Sequence, residues 1–171
     1  ELLVGFRNLN LLVTIDRSTS AITRRFGKNG DYTLTNGQWF SGQHHSTLQE
    51  DGTLTIYDNQ YKKGENRNSR IVQYRVDETT KSIEEQWAVD LGFFYRSGGE
   101  ASLLENGGLL IAAGGMGGSD EDATIQVFEI DANQNEVWRV ELSKESLPLV
   151  YRSSRLVSGT RMAPEDQTPS E

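Results

Sequence analysis

The two histidines of this chain, His44 and His45, stand side by side and are the only ones in its 171 residues. They lead into residues 47–59, which predict a β-hairpin with a primed turn at Asp51-Gly52, since glycine supplies the positive φ that such a turn needs. Imidazole titrates near neutral pH, so a histidine at the mouth of a hairpin could act as a nucleophile or a general base. The alternative is a surface histidine pair in a loop that enters a strand.

The elements that would position these histidines indicate an all-β fold. Seventeen glycines and only three prolines separate short runs rich in β-branched and aromatic residues. No long stretch shows the 3.6-residue apolar period of a helix. The pattern also repeats after roughly 55 residues, as expected for a repeat architecture. The matching segments are 46–56 with 101–111, 71–77 with 125–131, and 83–87 with 135–138.

Each repeat holds a strand that ends in Ile-Asp or Val-Asp, a polar turn that the Asp is expected to cap, and a strand with Trp. Such a unit is typical of a four-stranded propeller blade. The sequence predicts two full blades, about three strands of a preceding one, and one strand of the next at 150–157. Closed propellers have about 4–8 blades. We therefore expect a partial β-propeller over 1–157, followed by a disordered polar tail at 158–171.

Composition excludes several kinds of function. The net charge of −8 argues against a nucleic-acid footprint, which needs clustered Lys and Arg. The absence of cysteine excludes disulfides and cysteine-ligated zinc. The glycine run 114–119 lacks the Lys-Ser/Thr of a phosphate loop, and Asp120-Glu121-Asp122 lacks the EF-hand spacing, so no cofactor or metal is predicted. No apolar run is long enough to span a membrane, and the strand-like start at Glu1 suggests a chain that begins in mid-fold.

Three segments carry motifs that can be compared with known families. They are residues 3–10 followed by an Ile-Asp-Arg turn at 15–17, Gly42-Gln43-His44 followed by the hairpin strand 52–59, and the Ser-Arg-x-x-x-Tyr-x-Val-Asp strand at 69–77. This set, which covers roughly residues 2 to 90, resembles that of the arylsulfotransferase family, PAPS-independent enzymes built on a six-bladed β-propeller. The spacing from Gln-His to Asp-Asn is its most specific part.

The resemblance implies transfer of a sulfuryl group from an aryl sulfate to a phenol through a sulfohistidine. His44 falls on the family's Gln-His position and would be the nucleophile, while Arg7 falls on its catalytic arginine. A neutral imidazole nitrogen can attack sulfur and divide one difficult transfer into two steps. A planar guanidinium offers paired donors to the sulfuryl oxygens.

Other residues are expected around these two. Phenolic substrates need aromatic walls, although most aromatic residues of a propeller belong to the core. The predicted substrate contacts are Tyr57, Tyr95 and His45, with Trp39, Phe93 and Phe94 as further aromatic candidates. Because neighbours on a strand point to opposite faces, only one of the two histidines is expected to face the funnel. Residues with a structural role at the site are Gln43, Asp58, Asn59 and Arg70.

The resemblance also has gaps. The family uses two further histidines upstream of the arginine, and Val150 stands where a late family element can carry histidine. The chain is therefore expected to hold half a site, completed by an N-terminal half or a partner chain, with aryl sulfates and phenols as small-molecule partners in an extracytoplasmic compartment. One alternative is a non-catalytic propeller that serves as a binding module or structural subunit. Another is a hydrolase that uses His44 as a base.

Overall fold

The computed structural model describes residues 1–62, 65–66, 68–114, 124–142, 150 and 152–155, with only the backbone of 62 and 65–66. These residues form β-strands and one short 3-10 helix, which confirms the all-β prediction. The elements are β1 Leu2–Phe6, the 3-10 helix Arg7–Leu9, β2 Leu11–Ile15, β3 Ile22–Phe26, β4 Thr33–Asn36, β5 Ser46–Leu48, β6 Thr53–Asp58, β7 Tyr61–Lys62, β8 Glu65–Asn66, β9 Arg70–Asp77, β10 Ser82–Asp90, β11 Glu100–Leu103, β12 Leu109–Ala113, β13 Ile125–Ile130 and β14 Glu136–Leu142.

The larger sheets correspond to the repeats. The first sheet has the order β1-β2-β3, the second β4-β10-β9-β6-β5 and the third β11-β12-β13-β14, while β7 and β8 form a small hairpin. Strand pairing keeps the repeat in register, since Ser46 pairs with Ile56 and Ala101 pairs with Ile111. The parallel strand β4, which lies along β10 at the edge of the second sheet, was not predicted. A strand was also predicted at 150–157. This prediction was wrong for residues 152–155, which lie outside any strand. Of the other residues in this range, the structure describes only Val150.

The aspartate-capped turns predicted from the repeat are confirmed in all three sheets. Oδ1 of Asp16, Asp77 and Asp131 accepts the backbone N–H two residues later across 2.8 Å, and a further backbone N–H across 2.9 to 3.1 Å. Hydrogen bonding to the charged form favours it. The Ser18 hydroxyl and the backbone N–H groups lower the pKa of Asp16 from 3.8 to about 2.

The hairpin predicted at 47–59 is present as β5 and β6, but the predicted primed turn was wrong. Asp51 has no positive φ, and only Gly52 does, at 85°. The Gly52 N–H donates to the carbonyl of Gln49 across 3.1 Å, and the Gln49 N–H donates to that of Thr53 across 2.9 Å. This is a three-residue loop in which a turn is followed by a left-handed glycine, another common hairpin closure.

Strand β6 of the second sheet is buried on both faces, because this sheet lies between the other two. Every residue of β6 is buried, and its side chains alternate between two apolar clusters. Toward the first sheet, Leu54 and Ile56 of β6 pack with Leu12 and Phe26. Toward the third sheet, Tyr57 of β6 packs in one cluster with Ile71, Ile111 and Phe128. The three sheets are therefore stacked face to face as layers.

Candidate functional site

A cavity of about 290 Å³ lies where β1, β5 and β11, one strand from each of the three larger sheets, come together. Arg7 follows β1, His44 and His45 precede β5, and Glu100 begins β11. The cavity is lined by Arg7, Gln43, both histidines, Glu100 and Arg152, together with Leu3, Gly5, Ser46 and Gly99. The structure thus brings the two predicted catalytic residues, His44 and Arg7, to one concave site.

Both histidines face this cavity, contrary to the expectation that only one would. The His44 N–H donates to the carbonyl of Tyr57 across 3.0 Å, while the carbonyl of His45 accepts from the Tyr57 N–H across 2.7 Å. Two residues therefore oppose one on the partner strand, which is the arrangement of a β-bulge. The bulge interrupts the strict alternation of side chains, so adjacent histidines can line the same wall.

The His44 ring is half-buried and bonded at both nitrogens. Its Nδ1 lies 2.6 Å from Oδ1 of Asn59, and its Nε2 lies 3.0 Å from the backbone N of Gly98. A backbone N–H can only donate, so Nε2 holds the lone pair. Burial lowers the pKa of His44 below the ordinary 6.5, and the Arg7 charge acts in the same direction. His44 is therefore a neutral imidazole at neutral pH.

The Arg7 guanidinium is held beside this histidine by an aromatic ring and a carbonyl. Its Cζ lies 5.0 Å from the centre of the Tyr61 ring, within cation–π range, and one terminal nitrogen donates to the carbonyl of Arg96. The other terminal nitrogen donates to Asn8 across 3.1 Å. Its Nε is buried and has no hydrogen-bond partner within the described residues. A fixed guanidinium with an unpaired donor is suited to bind an anionic group.

His45 lies against the third sheet. Its Nε2 is 3.6 Å from Oε1 of Glu100, and the backbone N–H of Ala101 donates to its Nδ1 across 3.4 Å. Burial lowers the pKa of His45, while Glu100 raises it and Arg152 lowers it. The cavity thus holds a second neutral imidazole, which lies between a carboxylate and a guanidinium.

Gln43 lines the cavity with only 2 % of its surface exposed. Its Nε2 donates to the carbonyl of Leu11 across 3.0 Å, which ties the histidine segment to the first sheet. Its Oε1 is buried and has no partner among the described residues. Gln43 therefore connects two sheets at the base of the site.

Asp58 and Arg70 form a buried ion pair behind the histidine segment. Arg70 Nε donates to Asp58 Oδ2 across 2.9 Å, and its other donors reach Glu85, the carbonyl of Gln38 and the Tyr74 hydroxyl. Asp58 Oδ1 accepts the backbone N–H groups of Ser41 and Gln60. The pair joins β6, β9 and β10 to the segment that leads to His44.

The predicted substrate contacts Tyr57 and Tyr95 lie in the core and do not line the cavity. Tyr57 is fully buried, and its hydroxyl has no partner within the described residues. Tyr95 is 2 % exposed, and its hydroxyl donates to the carbonyl of Thr124 across 2.8 Å. Their position does not match the prediction, because the third sheet covers that face of β6. Phe94 is buried, and Trp39 and Phe93 pack against the core.

Sequence reasoning missed Glu100, Arg152, Tyr61 and Gly98 as neighbours of the site. A signal for Glu100 was present, because the repeat that aligns Ser46 with Ala101 also aligns His45 with Glu100. The repeat holds no such signal for Gly98 or Tyr61, which reach the site through loops. Arg152 enters it from a segment outside any strand.

The part of the chain that the structure describes contains no group of three or more His, Asp or Glu residues able to hold a metal ion. The glycine run from 115 and the acidic triplet 120–122 lie outside that part. Within it, no helix is long and apolar enough to cross a membrane.

The comparison with family models identifies the chain. The model described as Arylsulfotransferase (ASST) matches residues 1–152. The chain therefore belongs to the arylsulfotransferase family, which confirms the resemblance of its motifs. At the level of the family, this supports an arylsulfotransferase-like function on small-molecule substrates. A comparison with curated protein sequences finds no match.

Proposed function

We propose that this chain carries part of the active site of an aryl-sulfate sulfotransferase, in which His44 receives the sulfuryl group as a sulfohistidine. The observation that carries the proposal is that a neutral His44 and a fixed Arg7 line the same cavity. The three stacked sheets, whose strands β1, β5 and β11 meet at that cavity, also support the proposal that they are blades of a β-propeller.

The transfer has two balanced halves. In the first, the Nε2 lone pair of His44 forms a bond to sulfur while the bond between sulfur and the aryl oxygen breaks, and its electron pair leaves with the phenolate. In the second, the oxygen of an acceptor phenolate forms the new bond to sulfur while the N–S bond breaks and its electron pair returns to Nε2. A covalent intermediate of this kind replaces one difficult step by two easier ones.

Arg7 stabilises the charge on the sulfuryl oxygens in this proposal. The Tyr61 ring and the Arg96 carbonyl hold the guanidinium in place before substrate binds, so little reorganisation is needed at the moment of reaction. The Arg7 side chain also lines the cavity in which the sulfuryl group would bind.

The remaining residues have supporting roles in the proposal. Asp58 and Arg70 maintain the hairpin, Gln43 ties it to the first sheet, and Asn59 holds the His44 ring. His45, which lines the same cavity, contacts the substrate.

The site is proposed to be completed from outside the described residues. Two further catalytic histidines would come from an N-terminal half or a partner chain, with residues 1–157 as the later half of the ring and 158–171 as a polar tail. An extracytoplasmic location, either periplasmic or secreted, belongs to the same proposal.

The test is the intact mass of the chain in its native assembly after brief incubation with a nitrophenyl sulfate. A gain of about 80 Da, the mass of one sulfuryl group, is expected on a covalent intermediate. His44→Ala should abolish the gain, whereas the matched His45→Ala variant keeps the nucleophile and should still show it. No adduct and no released phenol from the complete assembly would overturn the proposal and favour a non-catalytic module.

A further inference from the structure

We infer that Asn59 is a positioning residue that fixes His44 in the tautomer protonated at Nδ1 and thereby selects Nε2 as the reactive nitrogen. The tautomer itself is a property of the folded chain. The statement that Nε2 reacts rests on the proposed function.

The orientation of the Asn59 amide follows from its partners. Its Nδ2 donates to the carbonyl of Tyr95 across 2.7 Å and to that of Gly98 across 3.1 Å. Carbonyl oxygens only accept hydrogen bonds, so the NH₂ group must face them. Oδ1 is then the atom that lies 2.6 Å from Nδ1 of His44. Because an amide oxygen also only accepts, Nδ1 must carry the proton.

The Asn59 side chain is fixed by its surroundings. The residue is fully buried at the end of β6. The Ser69 hydroxyl lies 3.2 Å from the Asn59 carbonyl, and the same hydroxyl accepts the Tyr95 N–H across 2.9 Å. Rotation of the amide would place Oδ1 against two carbonyl oxygens and leave these buried acceptors without a donor, which is costly. The amide therefore has one stable orientation.

Gly98 reinforces the same tautomer from the other side of the ring. Its carbonyl accepts from Asn59 and its N–H donates to Nε2 of His44 across 3.0 Å. The ring thus meets an acceptor at Nδ1 and a donor at Nε2, and only one neutral tautomer satisfies both.

An amide at this position sets the tautomer without adding charge. A carboxylate facing Nδ1 would stabilise the imidazolium and raise the pKa of the ring. Burial lowers the pKa of His44 and outweighs the hydrogen bond to the uncharged Asn59 amide, which raises it. The lone pair on Nε2 is then present at neutral pH, which nucleophilic attack requires.

The tautomer can be read directly by long-range ¹H–¹⁵N NMR of the full chain. The chain has only two histidines, so a His45→Gln variant leaves the His44 signals alone. At neutral pH we expect Nδ1 to resonate as a protonated nitrogen and Nε2 as an unprotonated one. The opposite pattern would overturn the inference, whether or not the protein transfers sulfuryl groups.

Variants then separate positioning from folding. Asn59→Ala removes the acceptor at Nδ1 and should convert the single tautomer into a mixture. Ser69→Ala removes a buried hydrogen bond from the same cluster but keeps the Asn59–His44 contact, so it should keep the tautomer. If both variants fold and Asn59→Ala also keeps the tautomer, the inference is wrong. If Asn59→Ala does not fold, the spectrum of the chain that retains Asn59 still shows which nitrogen of His44 carries the proton.

Kinetics of adduct formation provide the second readout. Loss of the correct tautomer in serine-protease triads lowers kcat by about 10⁴. We expect a loss of about 10² to 10⁴-fold in the rate of adduct formation for Asn59→Ala, with little change in KM for the aryl sulfate. An unchanged rate in a folded variant contradicts the positioning role. If the expected spectrum is found but the complete native assembly forms no adduct, the proposed function is refuted and the tautomer assignment stays intact.

Discussion

The backbone N–H of Gly98 donates a hydrogen bond to Nε2 of His44 across 3.0 Å. The nitrogen with the lone pair is therefore engaged in this conformation. Attack on sulfur requires this hydrogen bond to open. Gly98 and Gly99 both have positive φ, 81° and 102°, and lie just before β11. The segment before the third sheet thus contacts the nitrogen that would be the nucleophile in the proposed mechanism.

Adduct formation should fall in acid. Because burial lowers the pKa of His44 below 6.5, Nε2 is unprotonated above that pH and gains a proton as the pH falls through the lowered pKa. The rate should be level above about pH 7 and decline with a midpoint below 6.5, as for a base that must be free. The Gly98 amide resonance should move with the same midpoint, since it loses its acceptor. An acid limb centred above 6.5 would contradict this assignment.

Gly99→Ala should destabilise the fold strongly. A Cβ at this position would overlap the ring of Tyr57, and the backbone has a φ of 102°. Overpacking costs about 1–3 kcal/mol, and a left-handed residue with a side chain adds about 1–2 kcal/mol. The matched control is Gly92→Ala, where φ is 77° but nothing lies within 4 Å. Urea unfolding should show a loss of about 1 kcal/mol in the free energy of unfolding for Gly92→Ala. Equal losses of unfolding free energy in the two variants would mean that the Tyr57 ring moves to make room for the added Cβ.

Arg70→Met should cost about 3–5 kcal/mol of unfolding free energy, because it leaves the buried Asp58 carboxylate without its partner. The two side chains are only 5 % and 1 % exposed. Arg75→Met is the control on the same strand, where Arg75 and Asp51 are 46 % and 61 % exposed. That pair should contribute about 0–1 kcal/mol. Similar effects of both variants in denaturant titrations would argue against the structural role of Arg70.

The aspartate-capped turns should make the fold sensitive to acid. The folded pKa of Asp16 is about 2, below the ordinary 3.8. The contribution of the ionised Asp16 carboxylate to the stability of the fold is therefore complete above about pH 4 and is lost as the pH falls toward 2. Asp16→Asn keeps an acceptor oxygen but does not titrate. Between pH 5 and pH 2, roughly the range in which such a carboxylate gains its proton, the melting temperature of this variant should therefore fall less than that of the unmodified chain. An equal fall in both proteins would place the acid sensitivity elsewhere.

Much of the fold could be predicted because its signals are local. The repeat placed the strands of the second and third sheets, and the Ile-Asp and Val-Asp endings placed the turns that Asp16 and Asp77 cap. Strand β4 lacked such a signal, since its four residues pair in parallel with β10, which is far away in sequence. Parallel pairing depends on tertiary contacts that a local pattern does not contain.

The residues of the candidate site that fall on sequence motifs could be predicted from the sequence. His44 and Arg7 were found from motif positions, and the structure brings them to one cavity. Tyr57 was misassigned because its strand is buried on both faces, and alternation alone cannot identify which layer covers each face. The bulge that turns His45 toward the cavity depends on hydrogen bonds with Tyr57, which the residue types do not reveal.

The in-register repeat has a consequence for how such a site can arise. The second sheet offers His45 at the position where the third sheet offers Glu100, although both strands pair alike with their neighbours. The shared strand pairing therefore determines the architecture of both sheets, whereas residues that differ at matching positions, such as His45 and Glu100, determine which side chains reach the cavity.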